Sequence, residues 1–352
     1  MGLNPKEEIR LNLETVDHVH STNFPGHTPG EEYEWDFSRW QHETRLTVNR
    51  IQGDEMEFDL VGVDASVANA LRRVLIAEVP SVAIETVYMW LNTSIIQDEV
   101  LSHRLGLVPL RIDPDKLEFP NGEPTVANTV IFHLNAECSI ETLNTRKKGK
   151  GDTNTDGVEI GDESIVYSHQ LEFKSEGDQD AMFGFDSDPG LTPRVANPDI
   201  LLAKMAPGQV IKAEMHAVKG IGKDHAKFSP VATASYRLLP TIHITRPIPP
   251  ALQDKFIACF RPGVLEKRDG QVIVVNPRKD TVSREALRHK EFEGMVELGR
   301  KRDHFIYTIE SSGAMEVQRL FRDACKVMLA KIGDVKKGLD DMEKRRMERT
   351  QS

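Results

Sequence analysis

The chain has 352 residues, of which 39% are hydrophobic and 28% charged, enough for one large or two medium globular cores. A formal net charge of −10 opposes broad contact with phosphate backbones, so little or no direct nucleic-acid contact is expected. No apolar run reaches the roughly 18 residues of a membrane span. The first twenty residues lack the apolar stretch of a secretory signal, and Lys6 stands where N-myristoylation wants Ser or Thr. Cys138, Cys259 and Cys325 lie far apart with no CxxC pair, which argues against a zinc knuckle or disulfide framework and for a reducing compartment.

Residues 1–44 are rich in Pro, Gly and charge, and they read as an extended arm with aromatic anchors at Phe24, Trp35, Phe37 and Trp40. Alternating apolar and polar residues then predict strands over 45–52 and 55–63. Asp64 and Ser66 supply helix-start chemistry, and a helix over 67–78 ends before Pro80. Segments 82–96 and 126–140 are β-rich. Residues 141–163 have almost no large apolar side chains and predict a mobile loop, with a basic cluster at Arg146, Lys147, Lys148 and Lys150. Strands are predicted at 165–173, 209–218 and 231–246, with a second, acidic loop at 175–190. Short helical pieces are scattered through 247–300, a strand follows at 304–310, and a long helix covers 314–347.

Two helices carry the functional reading. In the first, Val67, Ala70, Leu71, Val74 and Leu75 form an amphipathic face, and a second stripe of Asn69, Arg72, Arg73 and Ile76 runs beside it. Arginines in such a row suit bidentate recognition of carboxylates, although solvated arginines give the same pattern. In the second, Val317, Phe321, Ala324, Met328, Ile332, Val335, Leu339 and Met342 follow a near-heptad seam that wants another helix against it. A helix of that length spans on the order of 45 Å, more than one modest domain covers. Gly333 and Gly338 each weaken it by roughly 1 kcal/mol, so packing must hold it.

Signs of catalysis are missing. The segment KGIGKDHAK (219–227) invites a phosphate-loop reading. It fails because Ala217 replaces the first required Gly and Asp224 replaces the Ser or Thr after the Lys. His18 and His20 lie in the arm and predict no metal site. No motif of a hydrolase, zinc enzyme or dinucleotide-binding protein occurs, so no catalytic residue, metal or cofactor is expected.

The blocks VANALRRVLIAEVP (67–80), QDEVLSHRLGLVP (97–109), KGIGKDHAKFSP (219–230) and FIYTIESSG (305–313) resemble, in order, the alpha-like subunits of RNA polymerases. Within that family the arm STNFPG (21–26) with Trp35, and the segment KDTVSRE (279–285), are most similar to the branch shared by nuclear polymerases I and III. The four-cysteine zinc loop of the polymerase II branch has no counterpart.

The resemblance implies an α+β fold. A discontinuous dimerisation domain (45–86 and 228–347), built of a sheet and two interface helices, would hold an inserted β-rich domain (87–227). It implies a non-catalytic assembly subunit in the nucleus, including the nucleolus. Val67, Ala70, Leu71, Val74, Leu75, Phe321, Ala324, Met328, Ile332 and Val335 would then face a smaller alpha-like subunit. Asn69, Arg72 and Arg73 would face the second-largest subunits of polymerases I and III. His103, Arg104, His225 and Lys227 would make further assembly contacts, and small zinc-binding subunits would be additional partners. Two readings from other classes compete. One is an autonomous interaction scaffold, which predicts a stable monomer. The other is a hydrolase built of scattered residues, which predicts a convergent polar pocket.

Overall fold

The computed structural model describes residues 7–19, 36–139, 164–183 and 192–351. In chain order it begins with strands β1 (Glu8–Leu11) and β2 (Val16–Asp17), helix α1 (Phe37–Glu43), strands β3 (Arg45–Gln52) and β4 (Glu55–Val61), and helix α2 (Ala65–Ala77). Next come β5 (Ser81–Asn92), α3 (Asp98–Gly106), β6 (Leu110–Arg111), β7 (Thr129–Glu137), β8 (Ile165–Tyr167), β9 (Leu171–Lys174) and α4 (Gln179–Phe183). After β10 (Arg194–Val195) and β11 (Leu201–Lys204) run the long strands β12 (Val210–Gly220) and β13 (Val231–Ile244). The chain closes with α5 (Gln253–Ala258), β14 (Leu265–Arg268), β15 (Gln271–Val274), α6 (Glu285–Arg288), β16 (Val296–Ser311) and the C-terminal helix α7 (Val317–Gln351). The fold is mixed α+β with several antiparallel sheets, as the sequence implies.

Two compact units are present. One draws on the segments up to Ile51, Met56–Arg72 and Ser235–Thr308, the other on Gln52–Glu55, Arg73–Ala234 and the residues from Ile309 onward. The divisions fall at the β3–β4 connection and inside α2, β13 and β16; the resemblance implies boundaries near residues 86 and 228.

A six-stranded sheet runs β2-β1-β16-β4-β3, and β13 also pairs with β16. Strand β4 alternates strictly, turning Met56, Phe58 and Leu60 inward. Phe58 stacks on the fully buried Tyr307 of β16 with ring centroids 4.9 Å apart. The Tyr307 hydroxyl donates to the Ala68 carbonyl of α2, and burial drives its pKa well above the ordinary tyrosine value. A second cluster in this unit gathers Phe256, Phe260 and Phe292 around Val264 and Leu298. Gly62, which follows β4, has φ +79°, and a Cβ there would lie 2.5 Å from the Glu43 carbonyl oxygen, so only glycine fits.

In the other unit β5-β12-β7-β9 form an antiparallel sheet, and β12 alternates along almost its whole length. The inward side chains Ile84, Phe132, Leu134, Ile211 and Met215 pack with Leu101 and Leu105 of α3.

Four sequence expectations are corrected. Residues 8–11 of the arm are a sheet strand paired with β16 in the register Glu8↔Lys301 to Leu11↔Leu298, and Phe37–Glu43 is helical. Asp98–Gly106 form helix α3, where no helix is predicted. The expected loop at 175–190 contains α4, whose Phe183 is buried and whose Gln179 amide donates to the carbonyls of Val126 and Thr129 at 2.9 and 2.7 Å. The strand at 165–173 is broken into β8 and β9 by a tight turn at Ser168–Gln170. The 141–163 loop with its basic cluster, and the positions His20, Phe24 and Trp35, lie outside the described residues.

Candidate protein–protein interface

The C-terminal helix is 35 residues long, about 52 Å at 1.5 Å per residue. Its first turns are fixed. Val317, Leu320 and Ala324 are buried, while Phe321 and Met328 are half-buried. Arg319 anchors this part through Nη2 to Asp113 at 2.7 Å and Asp115 at 2.8 Å, and through Nε to Asp323 at 3.1 Å. Burial alone would raise the Asp113 carboxyl, but the hydrogen bonds from Arg319 and from the Asp115 backbone N–H outweigh it and hold Asp113 below the usual aspartate range. One turn further along, Lys326 pairs with Asp323 at 2.8 Å and Lys331 reaches Glu78 at 2.7 Å.

Past Met328 the environment changes. Leu329, Ile332, Val335, Leu339 and Met342 lie on one side of the helix at three- and four-residue spacing and are 56–68% exposed. A contiguous row of large apolar side chains left in water is a candidate interaction surface. Nothing approaches within 4 Å of an added Cβ at Gly333 or Gly338, so these glycines answer no steric demand within the chain. Leu329 belongs to this row although the sequence reading passes over it.

Helix α2 behaves differently. Asp64 caps it, its carboxylate accepting from the Ser66 N–H at 2.8 Å. Leu71, Val74 and Leu75 are at most 5% exposed, so the chain itself covers these three expected interface positions. Only Val67, and in part Ala70, remain reachable. The Asn69 side-chain oxygen accepts from Arg72 Nε at 3.2 Å and Nη2 at 2.9 Å, which steers that guanidinium along its own helix. Arg73 is exposed, and among the described residues nothing engages its guanidinium.

The remaining four expected contact residues divide. His103, His225 and Lys227 line one cavity of about 260 Å³ together with Glu85 and Leu107. Lys227 pairs with Glu85, donates to the Ile84 carbonyl at 2.9 Å and sits 5.2 Å from the Phe228 ring centroid. Arg104 instead donates to the backbone carbonyls of Leu201 and Leu202, fastening α3 to β11.

The glycine-rich KGIGK segment has a structural purpose. An added Cβ at Gly222 would lie 2.3 Å from the Ile76 carbonyl oxygen, and the Lys223 N–H donates to the Ala77 carbonyl at 2.7 Å. The segment therefore closes the C-terminal end of α2, whose last carbonyls have no partner inside the helix.

Among the described residues no group of three or more His, Cys, Asp or Glu side chains is arranged to hold a metal ion, and no helix is long and apolar enough to cross a membrane.

Comparison with known proteins agrees with this picture. Residues 57–332 match the RNA polymerase Rpb3/Rpb11 dimerisation domain. The chain is 43% identical over 328 residues to "DNA-directed RNA polymerases I and III subunit RPAC1" of Saccharomyces cerevisiae, covering 91% of this chain and 95% of that protein. It is 42% identical to the human protein of the same name over 323 residues, 90% of each chain. Identity to "DNA-directed RNA polymerases II, IV and V subunit 3" of Arabidopsis thaliana is 30% over 328 residues, 88% of this chain and 95% of that one. The chain belongs to the Rpb3/Rpb11 dimerisation domain family of RNA polymerase subunits.

Proposed function

We propose that this chain is a non-catalytic assembly subunit of nuclear DNA-directed RNA polymerases I and III, present in the nucleus and nucleolus. It pairs with a smaller alpha-like subunit, and the pair forms the platform on which the second-largest subunit docks. Small zinc-binding subunits complete its surroundings. The observation that carries this reading is the uncovered seam Leu329–Met342, on the last helix of a chain that belongs to a dimerisation family. The names of the yeast and human relatives supply the assignment to polymerases I and III.

Pairing covers side chains that each contribute roughly 1.5–3 kcal/mol when fully removed from water. Part of that gain is offset by lost freedom on association. Arg73, exposed and unengaged, is the best placed of the polar stripe to meet the second-largest subunit. Its fork geometry suits a carboxylate there.

Co-expression with a small alpha-like subunit, followed by size-exclusion chromatography, tests the proposal. A 1:1 complex is expected, lost in the Ile332→Asp/Val335→Asp variant. A wild-type chain that stays monomeric beside that partner refutes it.

A further inference from the structure

The segment KDTVSRE (279–285) has no part in the pairing described above. With Asn276 and Arg278 it walls a cavity of about 690 Å³, completed by residues of β4, β13, β16 and the turn before β14. The lining carries five cations, Arg237, Arg261, Arg278, Lys279 and Arg300, in a chain whose net charge is −10. Two acids, Glu57 and Asp280, line the same hollow.

The balance within the cavity stays positive, five cations against the two lining acids and the adjacent Asp59. Arg278 and Glu57 neutralise one another at 2.8 Å, and Asp59 takes the other arm of Arg278 at 2.7 Å. Arg237 donates to the Arg278 backbone carbonyl at 2.8 Å, which ties β13 to the segment without cancelling any charge. Arg261, Lys279 and Arg300 make no side-chain hydrogen bond or ion pair with any described residue. Arg300 is half-buried, a costly place for a cation with no hydrogen-bonding partner. Burial first, and then repulsion from Arg284, lowers its pKa, while Asp280 works in the other direction. Burial in turn raises the pKa of Asp280, against the lowering effect of backbone N–H groups of Val282 and Thr281 and of Arg237 and Arg300.

The backbone adds an independent sign. Val282, on the cavity wall, has φ +59°, and Arg284 has φ +58°. A β-branched residue rarely adopts this left-handed conformation, which persists only where the surrounding structure enforces it. Such strain gathers at ligand clamps.

We infer that this cavity binds a small molecule carrying two or more phosphate groups. Guanidinium forks match phosphate oxygens in pairs, and the volume lies within the range of small-ligand sites. A nucleic-acid strand fits less well, because the cations converge in a hollow and no aromatic residue lines it to stack a base.

Calorimetric titration of the full chain, co-purified with its small partner, against inorganic tripolyphosphate tests the site at about 50 and about 150 mM salt. Saturable 1:1 binding is expected. It should weaken at least tenfold in Arg261→Gln/Arg300→Gln and change less than twofold in Arg45→Gln, a control cation on β3. Arg300→Lys keeps the charge and loses the fork, so an intermediate loss is expected. If the double variant fails to fold by circular dichroism, Arg261→Gln alone, at an exposed position, should still weaken binding at least threefold. Absence of saturable binding, or an equal loss in Arg45→Gln, overturns the inference. So does tighter binding of a single-stranded RNA oligonucleotide with the same arginine dependence.

Discussion

Helix α2 and the C-terminal helix carry apolar stripes of similar quality, yet the chain covers one and leaves much of the other bare. Leu71, Val74 and Leu75 meet neighbours within the chain, whereas Ile332, Val335 and Leu339 meet water. An amphipathic period states that something covers the stripe, and it does not state whether the cover is the same chain or another. Length breaks the tie. At 13 residues α2 has no surplus, while a 35-residue helix outruns the unit that holds its first turns.

Substitutions can separate the two kinds of stripe. Leu75→Asp should have the largest effect, because it buries an unpaired carboxylate at a fully buried position. A loss of more than about 4 kcal/mol is expected, read as an unfolded chain by circular dichroism. Val335→Asp should leave the melting of the isolated chain unchanged and weaken pairing with a small alpha-like subunit at least thirtyfold, measured by calorimetry. If Val335→Asp unfolds the chain instead, the contrast between the two helices collapses.

Smaller effects sharpen the contrast at the join between the fixed and bare parts of the C-terminal helix. The Asp113 pKa is lowered in the folded chain, so its stabilising contribution is present above the ordinary aspartate value near about 4 and disappears as pH falls through the folded value. Melting followed from pH 6 to pH 2.5 should therefore show an acid-induced drop that is reduced in Asp113→Asn. Gly333→Ala and Gly338→Ala should each favour the helix by about 0.5–1 kcal/mol, since both positions have open space around an added methyl group. Higher helix content with pairing retained is the expected result.

Much of this was legible beforehand. Strict alternation marked β4 and β12, and Asp64 and Pro80 bracketed α2. Helix α3 escaped because only Leu101 and Leu105 face the core, too few to establish a period. Its acidic first turn and its His103 and Arg104 last turn were the available signals. The β14–β15 hairpin was missed in a stretch read only as short helical pieces, although Asp269–Gly270 is a dipeptide suited to a two-residue turn, and both residues do adopt positive φ. Strand β1 was not readable, because four residues in a polar arm become a strand only through pairing with β16. The basic cavity gathers positions 237, 261, 278, 279 and 300, which no local pattern connects. Of the candidate interface, the seam was visible as a period, but its division into covered and bare halves depended on what packs against the helix.

The placement of β16 sets the schedule on which this protein can mature. Strands β1, β4 and β13 all pair with a segment translated only at residues 296–311. On the ribosome, the earliest strands must wait for almost the entire chain to emerge before their edges are satisfied, a long interval of vulnerability to misassociation. Fragments ending before residue 296 should accordingly leave those edges open and remain dependent on chaperones.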